Sequence, residues 1–255
     1  MKAVSIREAL VSLWTAHSHS GADTHWALII LLHLMHTTLV YRTQSRFSGF
    51  ETVRPTYQFV KGLLDRYDDL IIDSDHMMAI SPDEGATERA VYLANVLNLD
   101  MGMFYKRRDY TRVVNGRNPI VAHEFLGSSV EGKDVIILDD MISSGDSILD
   151  VAKQLKSRNA KRIFAAATFG LFTNGLDKFD EAYESGLIDG VLTTNLIYQT
   201  PELLSRPYYI NCDMSKYVAL MIDTLNHDGS ISDILDPSER IQVCVEEYKK
   251  AHGQL

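Results

Sequence analysis

Val135-Ile136-Ile137-Leu138-Asp139-Asp140-Met141-Ile142-Ser143-Ser144-Gly145-Asp146-Ser147-Ile148-Leu149 is the stretch on which the fold turns. Its unbroken apolar start, 135–138, suits a strand buried on both faces, as in a parallel sheet covered by helices. The run ends in a pair of carboxylates, Asp139 and Asp140, and a loop of serine and glycine leads into a helix. In open α/β sheets, ligands settle beyond the carboxyl ends of the strands. A helix start at that place offers unpaired N–H groups and the positive end of a dipole, which suits phosphate. Ser143, Ser144 and Ser147 add hydroxyl donors, and Gly145 lets the backbone approach a ligand closely. Carboxylates in the same cleft suit vicinal hydroxyls or a phosphate-bound Mg²⁺. Read alone, the pattern also describes an ordinary strand–helix turn with a serine or aspartate cap.

Strand-length apolar runs and stretches of helical period alternate outward from this loop. Residues 77–81, 101–105, 134–138, 162–168 and 190–194 read as strands, and 85–97, 146–157 and 176–184 as helices. Residues 214–226 and 237–251 read as closing helices. Such alternation implies βαβ units, so the chain is expected to be α/β, a parallel sheet with helices on both faces.

Composition sets the outer limits. The 255 residues are 45% hydrophobic and 23% charged, ordinary values for a globular protein. A net charge of −9 argues against nucleic acid or an anionic membrane surface as the partner, but not against small anions held by local cations. The apolar run 26–35 is too short to cross a bilayer, and no signal-peptide pattern precedes it, so a cytoplasmic protein is expected. Cys212 and Cys244 have no motif spacing and read as free thiols. His33 and His36 lie one helical turn apart, but no third ligand follows at metal-site spacing. Taken alone, Lys106-Arg107-Arg108 with Arg112 and Arg117 is the solvated rim of a loop.

Several segments together carry a family resemblance. The stretch 135–149 looks like the phosphoribosyl pyrophosphate motif of type I phosphoribosyltransferases, and other segments narrow the likeness to ribose-phosphate diphosphokinases. Ser81-Pro82-Asp83-Glu84-Gly85-Ala86 is similar to that family's Ser-Pro-Asp-x-Gly-Gly turn, with Ala86 in place of the last glycine. Lys106-Arg107-Arg108 resembles the Lys-Arg-Arg that opens its mobile catalytic loop. Glu131-Gly132-Lys133-Asp134, Phe169-Gly170-Leu171-Phe172, Thr194-Asn195 and 231–235 match further segments in order and spacing, over roughly residues 75–236.

The resemblance implies a type I phosphoribosyltransferase-like domain that makes phosphoribosyl pyrophosphate from ribose 5-phosphate, with ATP as co-substrate and Mg²⁺. Asp139 would touch the ribose hydroxyls, beside Asp140, and Ser143, Ser144, Gly145, Asp146 and Ser147 would cradle the 5-phosphate. Asp83 would bind Mg²⁺, while Glu84, Gly85 and Ala86 would line the pyrophosphate side. Lys106 and Arg108 would stabilise charge during transfer. The intact family form is a homo-oligomer built from two related α/β domains, of which one is recognisable in this chain. A phosphoribosyltransferase that consumes phosphoribosyl pyrophosphate, or a non-catalytic related subunit, is the alternative. The loop departs from the family's Asp-Thr-x-Gly-Thr in two places: Ser143 replaces the first acid, and Asp146 replaces a glycine. A carboxylate beside a phosphate is unfavourable unless Asp146 turns away to cap its helix.

Composition breaks near residue 48, and with the resemblance the chain is expected to divide into an atypical segment 1–47, a phosphoribosyltransferase-like domain 48–236 and a C-terminal helix 237–255. Residues 1–47 hold both tryptophans and five of the nine histidines, but only two of the 34 acids, Glu8 and Asp23. Codons for 26–47 read from the third base of the Trp26 codon must start with glycine, and the Met35–His36 junction must give alanine. Permitted choices elsewhere give GVDNIITFDAHDPRVQNAIPL, which resembles the family's strand and Asp-x-His segment and joins onto Ser48. Segment 1–47 is thus expected to be a frame-shifted remnant of a first domain, with an unrelated N-terminal helix as the alternative. The encoding DNA decides between them, since stop codons or unrelated residues in that frame end the idea.

Overall fold

The computed structural model describes residues 53–108 and 120–254, with the side chains of 106–108 and 120–123 outside the description. The expectations for segment 1–47, including His33 and His36, and for Arg112 and Arg117 lie outside the described residues.

Helix α1 (Thr56–Arg66) leads to strand β1 (Met77–Ser81), a 3-10 turn (Glu84–Ala86) and helix α2 (Thr87–Leu97). Strands β2 (Asp100–Arg108) and β3 (Ile120–Leu126) form a hairpin, followed by β4 (Asp134–Ile142), α3 (Asp146–Lys156) and β5 (Arg162–Gly170). Then come α4 (Asp177–Glu184), β6 (Gly190–Thr194), α5 (Pro201–Leu204), β7 (Tyr209–Cys212), α6 (Ser215–Asn226), α7 (Ser232–Leu235) and α8 (Ser238–Ala251). The seven strands make one sheet in the order β3-β2-β1-β4-β5-β6-β7, parallel except for β3.

Alternation along buried strands sends side chains to opposite faces. Met78, Ile80, Val135, Ile137, Ile163 and Ala165 face one way and pack against Ile148, Val151 and Leu155 of α3 and Phe179 of α4. Met77, Ala79, Ile136, Leu138, Phe164 and Ala166 face the other way, against Phe59 and Leu63 of α1, Leu93 of α2 and Ile241 of α8. Each such Leu, Ile or Phe contributes about 1.5–3 kcal/mol by leaving water, so the two-faced core dominates the stability of the fold. The expected α/β sheet covered on both faces is what the chain forms.

The connection from β1 runs outward to β2, whereas β4 lies on the other side of β1. Helices α2 and α3 accordingly cover opposite faces. The crevice between the carboxyl ends of β1 and β4 is therefore the point where strand order reverses, the place where open α/β sheets bind ligands.

Three details differ from the sequence reading. Strand β4 does not stop at Leu138 but carries Asp139 and Asp140 within it, because pairing with β5 continues through Asp139↔Ala167, Met141↔Phe169 and Ile142↔Gly170. The expected helix 85–97 opens as a 3-10 turn and becomes α-helical only at Thr87. Strands β3 and β7, helix α1 and the short helices α5 and α7 are additional to the expected elements. At the opposite end of the sheet, Arg162 grips the buried Asp134 with two bonds of 2.8 and 2.7 Å and reaches Asp69 at 2.7 Å. Cys212 and Cys244 are free thiols, as expected. Among the described residues, no helix is long and apolar enough to cross a membrane.

Candidate functional site

The turn after β1 is held by its own side chains. Ser81 Oγ donates to the Asp83 carbonyl at 2.6 Å, and the Asp83 carboxylate accepts the Gly85 N–H at 3.0 Å, capping the 3-10 turn. A Cβ at Gly85 would stand 3.3 Å from that carboxylate oxygen, so a bare glycine suits the turn. Glu84 and Gly85 are exposed, and Ala86 is buried under them.

Next to this turn, Asp139 and Asp140 are half-buried at the end of β4. Asp139 accepts the backbone N–H of Asp140 at 2.8 Å. Its carboxyl is raised to about 7: burial is the largest cause, the Asp140 N–H pulls the other way, and the neighbouring carboxylates of Asp140 and then Asp83 add to the rise. The 3-10 turn packs against β4, which brings Asp83 into the neighbourhood of Asp139. Arg89 of α2 lies 4.0 Å from Asp140. Negative charge is crowded there, an arrangement that favours a cation or a hydrogen-bond-donating ligand.

The raised pKa has a testable consequence for the ligand-free chain. Asp139 binds its proton more tightly in the folded state than at the ordinary value of 3.8. Its contribution to stability is full below about pH 4 and is lost as pH rises through about 7. The melting temperature should therefore fall between about pH 4 and about pH 7, and fall less in Asp139→Asn. Equal slopes in the two proteins would remove Asp139 as the source.

The loop beyond β4 turns through Gly145, whose φ of +83° lies in the left-handed region that favours glycine. Helix α3 begins at Asp146, with Ser147 in its first turn. Ser143 and Ser147 are exposed and Ser144 is half-buried. Asp146 is the first residue of the helix, and its side chain does not turn away to cap it. Its carboxylate takes Lys178 Nζ at 2.5 Å and Ser144 Oγ at 2.9 Å, and these two contacts hold it below the usual carboxylate range.

A second layer braces this loop. The N–H groups of Leu171 and Phe172 donate to the Ile142 carbonyl, and that of Thr173 to the Ser143 carbonyl at 3.0 Å. Phe172 adopts φ +45°, which is costly for a bulky residue and is held by ring contacts to Phe179 and Tyr209 at 5.2 and 6.4 Å. Arg89 and Lys178 were not among the residues singled out from sequence, since neither belongs to a local motif; Leu171 and Phe172 were noted as part of a family segment, but not for this bracing contact.

Lys106 and Arg108 lie at the carboxyl end of β2, paired in backbone register with His123 and Ile120. Because β2 runs parallel to β1, they leave the sheet at the same end as Asp83 and Asp139. Among the described residues, no group of three or more His, Cys, Asp or Glu is placed to hold a metal by itself.

Comparison with known proteins places this geometry. The curated relatives include the ribose-phosphate pyrophosphokinase of Mycoplasma genitalium, 34% identical over 130 residues, covering 51% of this chain and 37% of that protein. The enzyme of the same name from Pasteurella multocida is 33% identical over 162 residues, covering 63% and 48%. The chain thus spans less than half the length of these relatives. The crystal structure of phosphoribosylpyrophosphate synthetase from Mycobacterium smegmatis superposes with a TM-score of 0.54 over 68% of this chain and 51% of that one. At 23% identity this likeness speaks for the fold. The family resemblance read from the motifs is borne out by these relatives. The profile of the phosphoribosyl transferase domain matches residues 54–195, more than half of the chain and all of the turn, strand and loop just described, and the chain belongs to that family.

Proposed function

We propose that this chain carries the ribose 5-phosphate site of a ribose-phosphate diphosphokinase, the activity named for its relatives. The observation that supports this most is that the Asp83 turn after β1 packs against β4, whose end carries Asp139 and Asp140 and leads into the hydroxyl loop, at the point where strand order reverses. In this reading Asp139 and Asp140 hold the ribose hydroxyls, and Ser143, Ser144, Gly145 and Ser147 receive the 5-phosphate at the start of α3. Glu84, Gly85 and Ala86 line the side where pyrophosphate is delivered. The C1 hydroxyl oxygen attacks the β-phosphorus of ATP, the bond to the α,β-bridging oxygen breaks, AMP leaves, and the hydroxyl proton passes to solvent or a base. Phosphoryl-type transfer of this kind asks for positioning and charge stabilisation more than covalent help.

Mg²⁺ would be held by Asp83 together with the phosphates of the substrates and would neutralise their charge. The fit is reasonable, because Mg²⁺ is usually bound by one or two carboxylates plus substrate oxygens rather than by an all-protein cage. The crowding of Asp83, Asp139 and Asp140 supports a cation there. Lys106 and Arg108 would stabilise charge developing in transfer, and ATP and a cytoplasmic location belong to the same reading.

Because the chain matches less than half the length of these relatives, the test uses a chimera in which residues 75–236 replace the corresponding part of a whole relative. AMP should form from ATP only when ribose 5-phosphate is present. Lys106→Ala in the chimera should cut turnover about 10²-fold, the scale of losing one preorganised charge-stabilising group. A folded chimera that binds ribose 5-phosphate but forms no AMP would contradict the synthetic reading. Base-dependent release of pyrophosphate from phosphoribosyl pyrophosphate would favour the transferase instead.

A further inference from the structure

The Asp146 carboxylate sits within the loop proposed above for the phosphate, and its contacts are those an incoming anion would seek. One of its oxygens meets Lys178 Nζ at 2.5 Å, and the other accepts from Ser144 Oγ at 2.9 Å. The Asp146 N–H, one of the unpaired donors of the helix start, points back to Ser144 Oγ at 3.4 Å. A side chain of this protein thereby ties up a hydroxyl and a cation at the mouth of the site. Both members of the Asp146–Lys178 pair are about half exposed, at 56% and 49%, and a solvent-screened pair of that kind holds weakly. A phosphate brings about twice the charge of a carboxylate and a third acceptor oxygen, so it competes well for the same two donors.

From this we infer that Asp146 is an internal stand-in for the ligand phosphate, and that on binding Lys178 and Ser144 exchange the Asp146 carboxylate for the phosphate. Lys178 is then the cation of the phosphate subsite, supplied from α4, 32 residues beyond the loop. The same helix is fixed against the loop by Phe179, whose ring stands where a side chain at Gly145 would go. Asp146 acts as a brake on affinity: the free protein satisfies its own donors, and only an anion of higher charge displaces it. The inference rests on the sugar-phosphate reading of the site.

The test is calorimetric titration of ribose 5-phosphate into the full chain, with ribose as the control lacking phosphate. Lys178→Ala should weaken binding about 10-fold, the loss of one charge-assisted contact, and Lys178→Arg should keep most of the affinity. Asp146→Asn should tighten binding by about 3- to 10-fold, because a like charge and a competitor are removed together. The deciding comparison is Lys178→Ala in the Asp146→Asn background. The exchange predicts a further weakening of about 10-fold there, since Lys178 touches the ligand. No effect in that background would mean that Lys178 merely neutralises Asp146 and would overturn the exchange, as would weaker binding by Asp146→Asn. Failure of the unaltered chain to bind ribose 5-phosphate would overturn the site reading itself, an outcome distinct from normal binding with a flat mutant cycle.

Discussion

Arg162→Ala should lower the unfolding free energy by about 3–5 kcal/mol, the range seen when one partner of a buried ion pair is removed. Asp134 is buried at the start of β4, and both of its oxygens are engaged by Arg162, at 2.8 and 2.7 Å. Without the guanidinium, the Asp134 charge stays in a poorly solvated place with Lys161 Nζ, 4.0 Å away, as its remaining ion-pair partner among the described residues. Asp69 loses the partner that holds its carboxyl below the usual range. The arginine also spreads over Tyr67 and Phe164, with its Cζ 5.7 and 5.8 Å from the ring centroids, so packing is lost along with charge. Urea denaturation of Arg162→Ala and of Asp134→Asn/Arg162→Met gives the check. The double variant should recover most of the loss, because nothing charged is left buried. A loss below about 1 kcal/mol in the single variant would mean the pair is solvated and of little consequence.

Gly145→Ala should cost about 2–5 kcal/mol and weaken ligand binding as well. A left-handed backbone costs an L-residue about 1–2 kcal/mol. The new Cβ would stand 2.4 and 2.5 Å from Phe179 Cε2 and Cζ. That ring is fully buried and packs edge-on against Phe172, so it has little room to yield. Overpacking of this kind adds about 1–3 kcal/mol. Truncation of the ring, Gly145→Ala/Phe179→Leu, should return part of the packing loss but none of the backbone cost. An alanine variant as stable as the unaltered chain would show that the loop does not turn through a left-handed residue at this position.

The two predictions sit at opposite ends of β4, and they differ in how far each was legible in the sequence. The strand, its carboxylates and the loop were legible because a continuous apolar run followed by acid, hydroxyl and glycine is a local pattern. The edge strands were not. Ile120-Val121-Ala122-His123-Glu124-Phe125-Leu126 mixes polarity along an antiparallel edge, and Tyr209-Ile210-Asn211-Cys212 is too short to establish a period. Helix α1 has apolar residues at helical spacing, Phe59, Val60, Leu63 and Leu64, but Gly62 interrupts it. The structure explains the glycine: a Cβ there would stand 3.1 Å from Ile210 and 3.2 Å from Cys212, where the helix crosses β7.

The site divides in the same way. Asp83 and Asp139 belong to separate motifs, and the parallel register of β1 and β4 brings their ends together. Lys178 and Arg89 act through contacts that join distant elements, and one residue on a helix face gives no local signal of its partner. The fate of Asp146 shows the limit most clearly. Its misfit beside a phosphate was evident from the loop composition, but its choice of Lys178 over a helix cap depends on where α4 packs.

The measurement closest to the central claim is calorimetric titration of ribose 5-phosphate, in the presence of Mg²⁺, into the chain and into Ser144→Ala/Ser147→Ala. Saturable binding at one site is predicted, weakened by about 1–3 kcal/mol when both hydroxyls are removed. Equal affinity in the two proteins would place the phosphate elsewhere, and no binding by the unaltered chain would contradict the sugar-phosphate site altogether.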